Sequence, residues 1–218
     1  MLKAVLFDMD GVLVDSEPEY QRLDMLLARE LGFELTHEEQ SSYVGVSTLE
    51  MWQALKLKYG FEQDAYEVAQ RETQMMARYY AEGQLYPFDA TVALLKSCAD
   101  SGLKVAVATS SAQENAECVI RRLGLAGIVH AVVSSCMTQC SKPAPDIFLL
   151  AMELLGVEGD ACIVVEDADN GVTAARAAGV KRIIGIRHPE GRQSLSGADL
   201  VVESLSGVTV QALHELME

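Results

Sequence analysis

Short apolar runs alternate along the chain with longer segments in which apolar residues recur at helical spacing. The first run, at positions 4–7, is followed by Asp8, Asp10 and Gly11, and its short length and the turn signal after it predict a buried strand. Similar runs predict further strands at about 105–108, 129–133, 162–165, 183–186 and 200–202. Since helical segments separate most of these strands, the pattern predicts an α/β fold, a parallel sheet with helices on both faces.

The segment at positions 16–85 has a different pattern, with almost no strand signal and with charges and methionines at helical spacing. Helices are predicted there from Ser16 to Leu31, from about Thr36, from Thr48 to Tyr59 and from Asp64 to Ala81. We interpret this segment as an all-helical insertion into the sheet domain, which then comprises residues 1–15 and 86–218. Because the insertion begins a few residues after Asp8 and Asp10, we expect it to act as a lid.

The chain of 218 residues is acidic, with a formal net charge of −15. Such a charge repels nucleic acids and anionic membranes, so neither is expected as a partner. No apolar run approaches the roughly 20 residues of a membrane span, and two aspartates interrupt the N-terminal run before it could form a signal peptide. The five cysteines are an odd set without zinc-ligand spacing, which indicates reduced thiols. We therefore expect a cytoplasmic protein, and a monomer is the default expectation because the sequence does not indicate an oligomeric state.

Polar side chains follow three of the predicted strands. They are Asp8 and Asp10 after the first strand, Thr109, Ser110 and Ser111 after the second, and Glu166 and Asp167 after the fourth. A loop bracketed by prolines adds Lys142. Each group taken alone fits a helix cap or a solvated charge. Because the carboxyl ends of parallel strands meet at one edge of a sheet, the groups together predict a catalytic site there.

Several carboxylates at one place repel each other unless a cation compensates their charge, and an all-oxygen donor set favours Mg²⁺. With Mg²⁺, Lys142 and donors near Thr109 and Ser110, an anionic phosphoryl group could approach an aspartate. One of the two N-terminal aspartates could then act as a nucleophile and form an aspartyl phosphate, and the other could move protons. Gly11 would let the chain turn so that both approach the substrate.

In order and spacing, these residues resemble the motifs of the haloacid dehalogenase superfamily, specifically its small-cap branch of phosphatases and β-phosphoglucomutase-like enzymes. The matching stretches are Asp8-Met9-Asp10-Gly11-Val12, Thr109, Lys142-Pro143 and Glu166-Asp167. The resemblance covers nearly the whole chain. It implies a Rossmann-like, doubly wound core with a helical-bundle cap, which agrees with the interpretation of the helical insertion.

The resemblance also implies a role for each residue. Asp8 would be the nucleophile and Asp10 the general acid and base. Mg²⁺ would be held by Asp8, the backbone carbonyl of Asp10 and Asp167, with Glu166 contributing or lying beside it. The substrate-binding and phosphate-binding candidates are Gly11, Thr109, Ser110, Ser111 and Lys142, together with Tyr20, Gly45 and Thr48 in the insertion.

Certain residues separate the reactions that this superfamily carries out. Dehalogenases and phosphonatases lack an acid two residues after the nucleophile, so Asp10 favours phosphate-ester chemistry. Mutases of this type have histidine where Tyr20 stands and arginine where Thr48 stands.

Phe88 stands where the superfamily usually has glycine, with no evident function. Trp52 is either substrate-facing or part of the core of the insertion.

We therefore expect a Mg²⁺-dependent phosphatase that acts on a small phosphorylated metabolite, a sugar phosphate in particular. A phosphosugar mutase is the alternative within enzymes. A non-catalytic phosphate-binding module is the third possibility, which the intact set of acids and Lys142 disfavours.

Overall fold

The computed structural model describes residues 1–43, 46–189 and 193–218. Its elements are β1 (Ala4–Phe7), α1 (Glu17–Glu30), α2 (His37–Ser41), α3 (Thr48–Tyr59), α4 (Ala65–Glu82), α5 (Asp89–Asp100), β2 (Lys104–Thr109), α6 (Gln113–Arg122), β3 (Ala131–Ser134), α7 (Asp146–Leu155), β4 (Cys162–Glu166), α8 (Asp169–Ala177), β5 (Arg182–Ile186), β6 (Leu200–Val202) and α9 (Val210–Leu216). They form two compact units: a sheet unit made of Met1–Asp15 and Tyr86–Glu218, and a helical unit made of Ser16–Leu85. In the described part of the chain, no helix is both long and apolar enough to cross a membrane.

The sheet unit is built on six parallel strands in the order β3-β2-β1-β4-β5-β6. This confirms the predicted α/β fold with a doubly wound parallel sheet. Strand β1 lies at the centre and all four of its residues are buried, which explains its continuous apolar run. Phe7 is aligned with Val107 of β2 and with Val165 of β4, so the residues that follow these three strands come to one edge.

Strand β3 begins later than the sequence pattern predicts. The apolar run at 129–133 was expected to be extended throughout, whereas the strand covers Ala131–Ser134. The backbone N–H of Val129 donates to the carbonyl of Leu125 at 3.1 Å, so Val129 belongs to a turn after α6. An apolar run alone does not distinguish the last turn before a strand from the strand itself.

A tight turn after β1 leads the chain out of the sheet unit. Gly11 has φ of +76°, a left-handed conformation that favours glycine, and its N–H donates to the carbonyl of Val14 at 2.9 Å. Val14 then pairs with Pro87 in an antiparallel bridge, and the N–H of Asp15 donates to the carbonyl of Tyr86 at 2.8 Å. The chain therefore leaves the sheet unit and returns to it at adjacent positions.

The helical unit has a core of its own, formed by apolar residues of α1, α3, α4 and the connections between them. The predicted bounds of α3 are confirmed. Ser47 accepts a hydrogen bond from the N–H of Glu50 while the Glu50 carboxylate accepts from the N–H of Ser47, and Gly60 ends the helix in the left-handed conformation. These end signals are local, so they are readable from sequence.

A buried polar cluster lies inside the helical unit. Gln40 donates to Asp24 at 3.0 Å, Trp52 donates to Glu72, and the carboxyl groups of Asp24 and Glu72 are hydrogen-bonded to each other. Burial, followed by the negative charge of Asp24, raises the pKa of Glu72 to about 9. Burial also raises the pKa of Asp24 to about 6. Glu72 is therefore protonated in the folded protein at neutral pH and donates to its neighbour.

Glu72→Gln should make the stability of the protein less dependent on pH. Because the pKa of Glu72 is higher in the folded state than in the unfolded state, its contribution to stability is complete below its unfolded pKa and is lost as the pH rises towards 9. Between about pH 6.5 and 8.5 the wild type should lose about 1.4 kcal/mol of unfolding free energy per pH unit through this group. Glutamine carries no charge yet can donate to Asp24 and accept from Trp52, so the variant should lack this loss.

Urea denaturation at several pH values, in a range above the pKa of Asp24, measures the effect. The difference in slope between the wild type and Glu72→Gln reports Glu72, because the other titrating groups are present in both proteins. Glu82→Gln, at an exposed position of the same helix, is the matched control and should keep the wild-type slope. Equal slopes for Glu72→Gln and the wild type would show that Glu72 is already ionised in the folded protein.

Candidate active site

Lys142 lies between two carboxylates at the edge of the sheet where the strands end. Its Nζ donates to Asp8 Oδ1 at 2.6 Å and to Glu166 Oε1 at 2.5 Å, and it also donates to the carbonyl of Ala108 at 3.1 Å. These partners come from the ends of β1, β4 and β2. The side chain of Lys142 is only 8% exposed, so its charge is shared with buried partners rather than with water. The predicted meeting of these strand ends is thus present in the structure.

The end of β2 contributes hydroxyl groups to the same edge. Ser111 Oγ donates to Asp10 Oδ2 at 2.8 Å, and the N–H of Ser111 donates to Thr109 Oγ1 at 3.0 Å. Thr109 is buried, whereas Ser110 is exposed. Ser111 therefore contacts a candidate catalytic acid directly.

Three carboxylates lie close enough together to share a cation. Asp8, Glu166 and Asp167 each offer an oxygen, and these oxygens lie within 4.8 Å of one another. Glu166 Oε2 also accepts from the backbone N–H groups of Asp167 and Ala168, at 3.0 and 3.2 Å. Both oxygens of Glu166 are hydrogen-bonded, Oε1 to Lys142 and Oε2 to the backbone, whereas Asp8 accepts from Lys142 through Oδ1. Asp8 Oδ2 and Asp167 are therefore better placed to offer oxygens to an ion.

Two glycines allow these carboxylates to pack against the backbone. A Cβ atom at Gly11 would lie 1.9 Å from Asp167 Oδ2, and one at Gly171 would lie 1.9 Å from Glu166 Oε1. Gly11 is thus required for its conformation and also for the space that Asp167 occupies. The sequence pattern predicted the first requirement but not the second.

The site carries an excess of negative charge. Burial raises the pKa of Asp8 well above its usual range; Lys142 opposes this rise, and the neighbouring carboxylates add to it. Burial likewise raises the pKa of Asp167 to about 6. Burial disfavours the charge on Lys142, but Asp8 and Glu166 attract it more strongly and its pKa rises. An all-oxygen set with uncompensated charge has the chemistry that Mg²⁺ requires.

Comparison with known proteins identifies the family. A family model described as haloacid dehalogenase-like hydrolase matches residues 2–179. The chain belongs to the haloacid dehalogenase-like hydrolases. The resemblance seen in the sequence motifs is therefore confirmed, and the chain is an enzyme, a hydrolase of the phosphomonoesterase type.

Individual relatives are consistent with this assignment. β-Phosphoglucomutase of Bacillus subtilis is 30% identical over 100% of this chain and 96% of its own length. The phosphorylated carbohydrates phosphatase of Thermotoga maritima is 31% identical over 86% of each chain. The chloroplastic protein SUPPRESSOR OF QUENCHING 1 of Arabidopsis thaliana is 35% identical over 84% of this chain, which spans 18% of that protein.

Solved structures of this family share the fold. CbbY from Rhodobacter sphaeroides, in complex with phosphate, superposes with a TM-score of 0.83 and 26% sequence identity, covering 98% of this chain and 100% of that one. The predicted architecture, a Rossmann-like core with an inserted helical-bundle cap, is thereby confirmed.

One residue of this hydrolase's site was missed by the sequence analysis. His188 Nε2 lies 2.7 Å from the carbonyl oxygen of Gly11 and 3.5 Å from Asp167 Oδ2. The hydrogen bond to Asp167 is the main cause of a raised His188 pKa, which burial opposes. The signal was available: His188 comes two residues after β5, the strand beside β4, and the rule about strand ends applies to it as well.

The candidates in the helical unit have less definite surroundings. Tyr20 lies half-buried on α1, and Thr48 begins α3 with its side chain hydrogen-bonded to Glu72. Gly45 lies outside the described residues. Trp52 is fully buried and donates to Glu72, so it belongs to the core of this unit and is not substrate-facing.

Proposed function

We propose that this hydrolase is a Mg²⁺-dependent phosphatase that releases phosphate from a small phosphorylated metabolite, a sugar phosphate, through an aspartyl phosphate on Asp8. The observation that carries the proposal is the contact of Lys142 with both Asp8 and Glu166 at the edge where Asp10 also lies. The names of the two bacterial relatives support a carbohydrate phosphate as substrate. A cytoplasmic location, a monomeric state and the absence of nucleic-acid or membrane partners stay predictions.

In the first proposed step, a carboxylate oxygen of Asp8 attacks the phosphorus of the phosphate ester. A bond forms between Asp8 and phosphorus, the bond from phosphorus to the ester oxygen breaks, and Asp10 donates a proton to the departing alcohol. Ser111, which donates to Asp10 Oδ2, holds this carboxyl group in a defined orientation. The next step reuses the same groups.

In the second step, water gives a proton to Asp10 and attacks the phosphorus of the aspartyl phosphate. The bond between Asp8 and phosphorus breaks, and inorganic phosphate leaves. Lys142, with Thr109, Ser110 and the backbone near Gly11, would neutralise and orient the phosphoryl oxygens through both steps.

The proposed metal ligands are Asp8, the backbone carbonyl of Asp10 and Asp167, with Glu166 beside them. When bound there, Mg²⁺ would supply the positive charge that lets an anionic ester approach an anionic carboxylate. The raised pKa values of Asp8 and Asp167 support this, because they reflect buried negative charge without enough compensation.

A phosphosugar mutase is the second candidate, favoured by the match to β-phosphoglucomutase along the whole chain. Tyr20 and Thr48 oppose it, because mutases of this type have histidine and arginine at these places. The helical unit would act as the lid that selects the substrate in either case.

Phosphate release over a panel of sugar phosphates, nucleotides and phosphoglycolate tests the proposal. We expect the highest kcat/KM with a sugar phosphate, and loss of activity after chelation of Mg²⁺. With a bisphosphate primer present, phosphate should appear as fast as the substrate disappears. An isomerised sugar phosphate with little free phosphate would instead show a mutase, and no turnover on any substrate would indicate a phosphate-binding module.

A further inference from the structure

His188 and Phe88 form a pair beside the candidate cation site. Their rings are stacked with centroids 5.2 Å apart and planes inclined by 30°. Neither residue belongs to the motifs that define the family resemblance, and Phe88 stands where glycine was expected. The pair is therefore a feature of this chain that lies outside the residues of the family motifs.

Both backbone polar groups of Phe88, its N–H and its carbonyl, are hydrogen-bonded. Its N–H donates to the carbonyl of Leu13 at 3.0 Å, and its carbonyl accepts from the N–H of Val92 in the first turn of α5. The Phe88 ring is therefore carried by a fixed segment that is tied to the turn after β1. A ring held in this way offers a defined surface for the imidazole of His188.

The imidazole connects two segments of the site that come from different strands. A carbonyl oxygen only accepts hydrogen bonds, so the 2.7 Å contact with the carbonyl of Gly11 shows that His188 Nε2 carries a proton. The same nitrogen lies 3.5 Å from Asp167 Oδ2, a longer contact in which the proton is shared. Gly11 directly follows Asp10, and Asp167 follows β4. The His188 side chain therefore contacts both segments and fixes their positions relative to each other.

We propose that His188, oriented by the Phe88 ring, is a positioning residue for the cation site: it fixes the Asp167 carboxylate relative to the turn that carries Asp10. This inference rests on the proposed function, because it assigns Asp167 as a metal ligand. Partners that orient a metal-binding carboxylate typically change metal affinity or activity by about 10-fold to 100-fold when they are removed.

The inference is tested without turnover by measuring Mn²⁺ binding to the substrate-free protein. Binding is detected as the loss of the electron paramagnetic resonance signal of the free ion. His188→Leu replaces the imidazole with an apolar side chain that has no donor, and we expect the affinity for Mn²⁺ to fall by about 10-fold or more. His188→Gln keeps an N–H donor and should stay within about threefold of the wild type. Phe88→Leu, which removes the ring but leaves His188, should give an intermediate loss.

His214→Leu, on α9, is the control for the loss of a histidine as such and should bind Mn²⁺ like the wild type. Circular dichroism and thermal melts confirm that each variant is folded. Wild-type affinity in His188→Leu, an equal loss in His188→Gln, or absence of Mn²⁺ binding to the wild type would each overturn the inference.

The outcomes also separate this inference from the proposed function. A His188→Leu phosphatase whose kcat recovers at high Mg²⁺ concentration supports both, because the defect is then one of metal affinity. If no phosphate ester is hydrolysed but Mn²⁺ affinity still falls in His188→Leu, the positioning role holds and the phosphatase assignment fails. If phosphate is released normally and Mn²⁺ affinity is unchanged, only the positioning role fails.

Discussion

Asp8→Asn is expected to reduce phosphate release by about 10⁴-fold while leaving the protein folded. An amide does not attack phosphorus in place of a carboxylate, so the step that forms the aspartyl phosphate is lost. The fold should persist because Lys142 keeps its contact with Glu166, and because the substitution removes one of several buried carboxylates that repel each other.

Single-turnover phosphate release with the best substrate of the panel measures this loss, and thermal melts compare the folded states. Asp100→Asn, at an exposed position at the end of α5, is the matched control and should retain full activity. Mass spectrometry before each assay must show that the introduced amide has not deamidated back to aspartate. Turnover near the wild-type rate in a verified amide variant would remove Asp8 from the nucleophile role.

Lys142→Met is expected to abolish measurable activity and to destabilise the protein by about 3–5 kcal/mol at about pH 8. The substitution leaves Asp8 and Glu166 as buried carboxylates without their cation, and leaves the phosphoryl group without a neutralising partner. The loss of stability should be smaller at about pH 5. Without the lysine, which opposes the rise of the Asp8 pKa, that pKa rises further in the folded state, and a group with a raised pKa loses its stabilising contribution as the pH increases.

A second substitution distinguishes unpaired charge from lost packing. Glu166→Gln in the Lys142→Met background removes one of the two stranded charges, so the double variant should recover part of the lost unfolding free energy in urea denaturation. Lys3→Met replaces an exposed lysine and should leave both stability and activity unchanged. A double variant less stable than Lys142→Met would show that the cost lies in packing around the lysine stem.

The sheet and the main site of this hydrolase were predictable because their signals are local or follow from topology. Continuous apolar runs are typical of strands buried on both faces, and the edge rule then brings Asp8, Thr109 and Glu166 together without knowledge of side-chain positions. Helix ends such as Ser47 and Gly60 are readable for the same reason, since a cap involves residues within one turn.

The remaining features depend on contacts between residues far apart in sequence. Asp24 and Glu72 are buried in the helical unit and share a proton, and the helical spacing of the sequence gives no sign of this contact. Spacing likewise does not show that Ser111 rather than Ser110 reaches Asp10. The stacking of His188 on Phe88 joins a residue just before α5 to one just after β5, and no periodic pattern reports such a contact.

The hydrogen bond between the N–H of Asp15 and the carbonyl of Tyr86 has a consequence for how this hydrolase could diversify. Two residues that touch across an antiparallel bridge can be joined by a short turn, so the sheet does not need the intervening helices to close its own backbone. The helical unit is therefore an insertion between two neighbouring positions of the sheet unit, Asp15 and Tyr86. Under the proposed lid role, replacing the helical unit with another of different size should alter substrate choice and keep the reaction centre, because both neighbouring positions belong to the sheet unit.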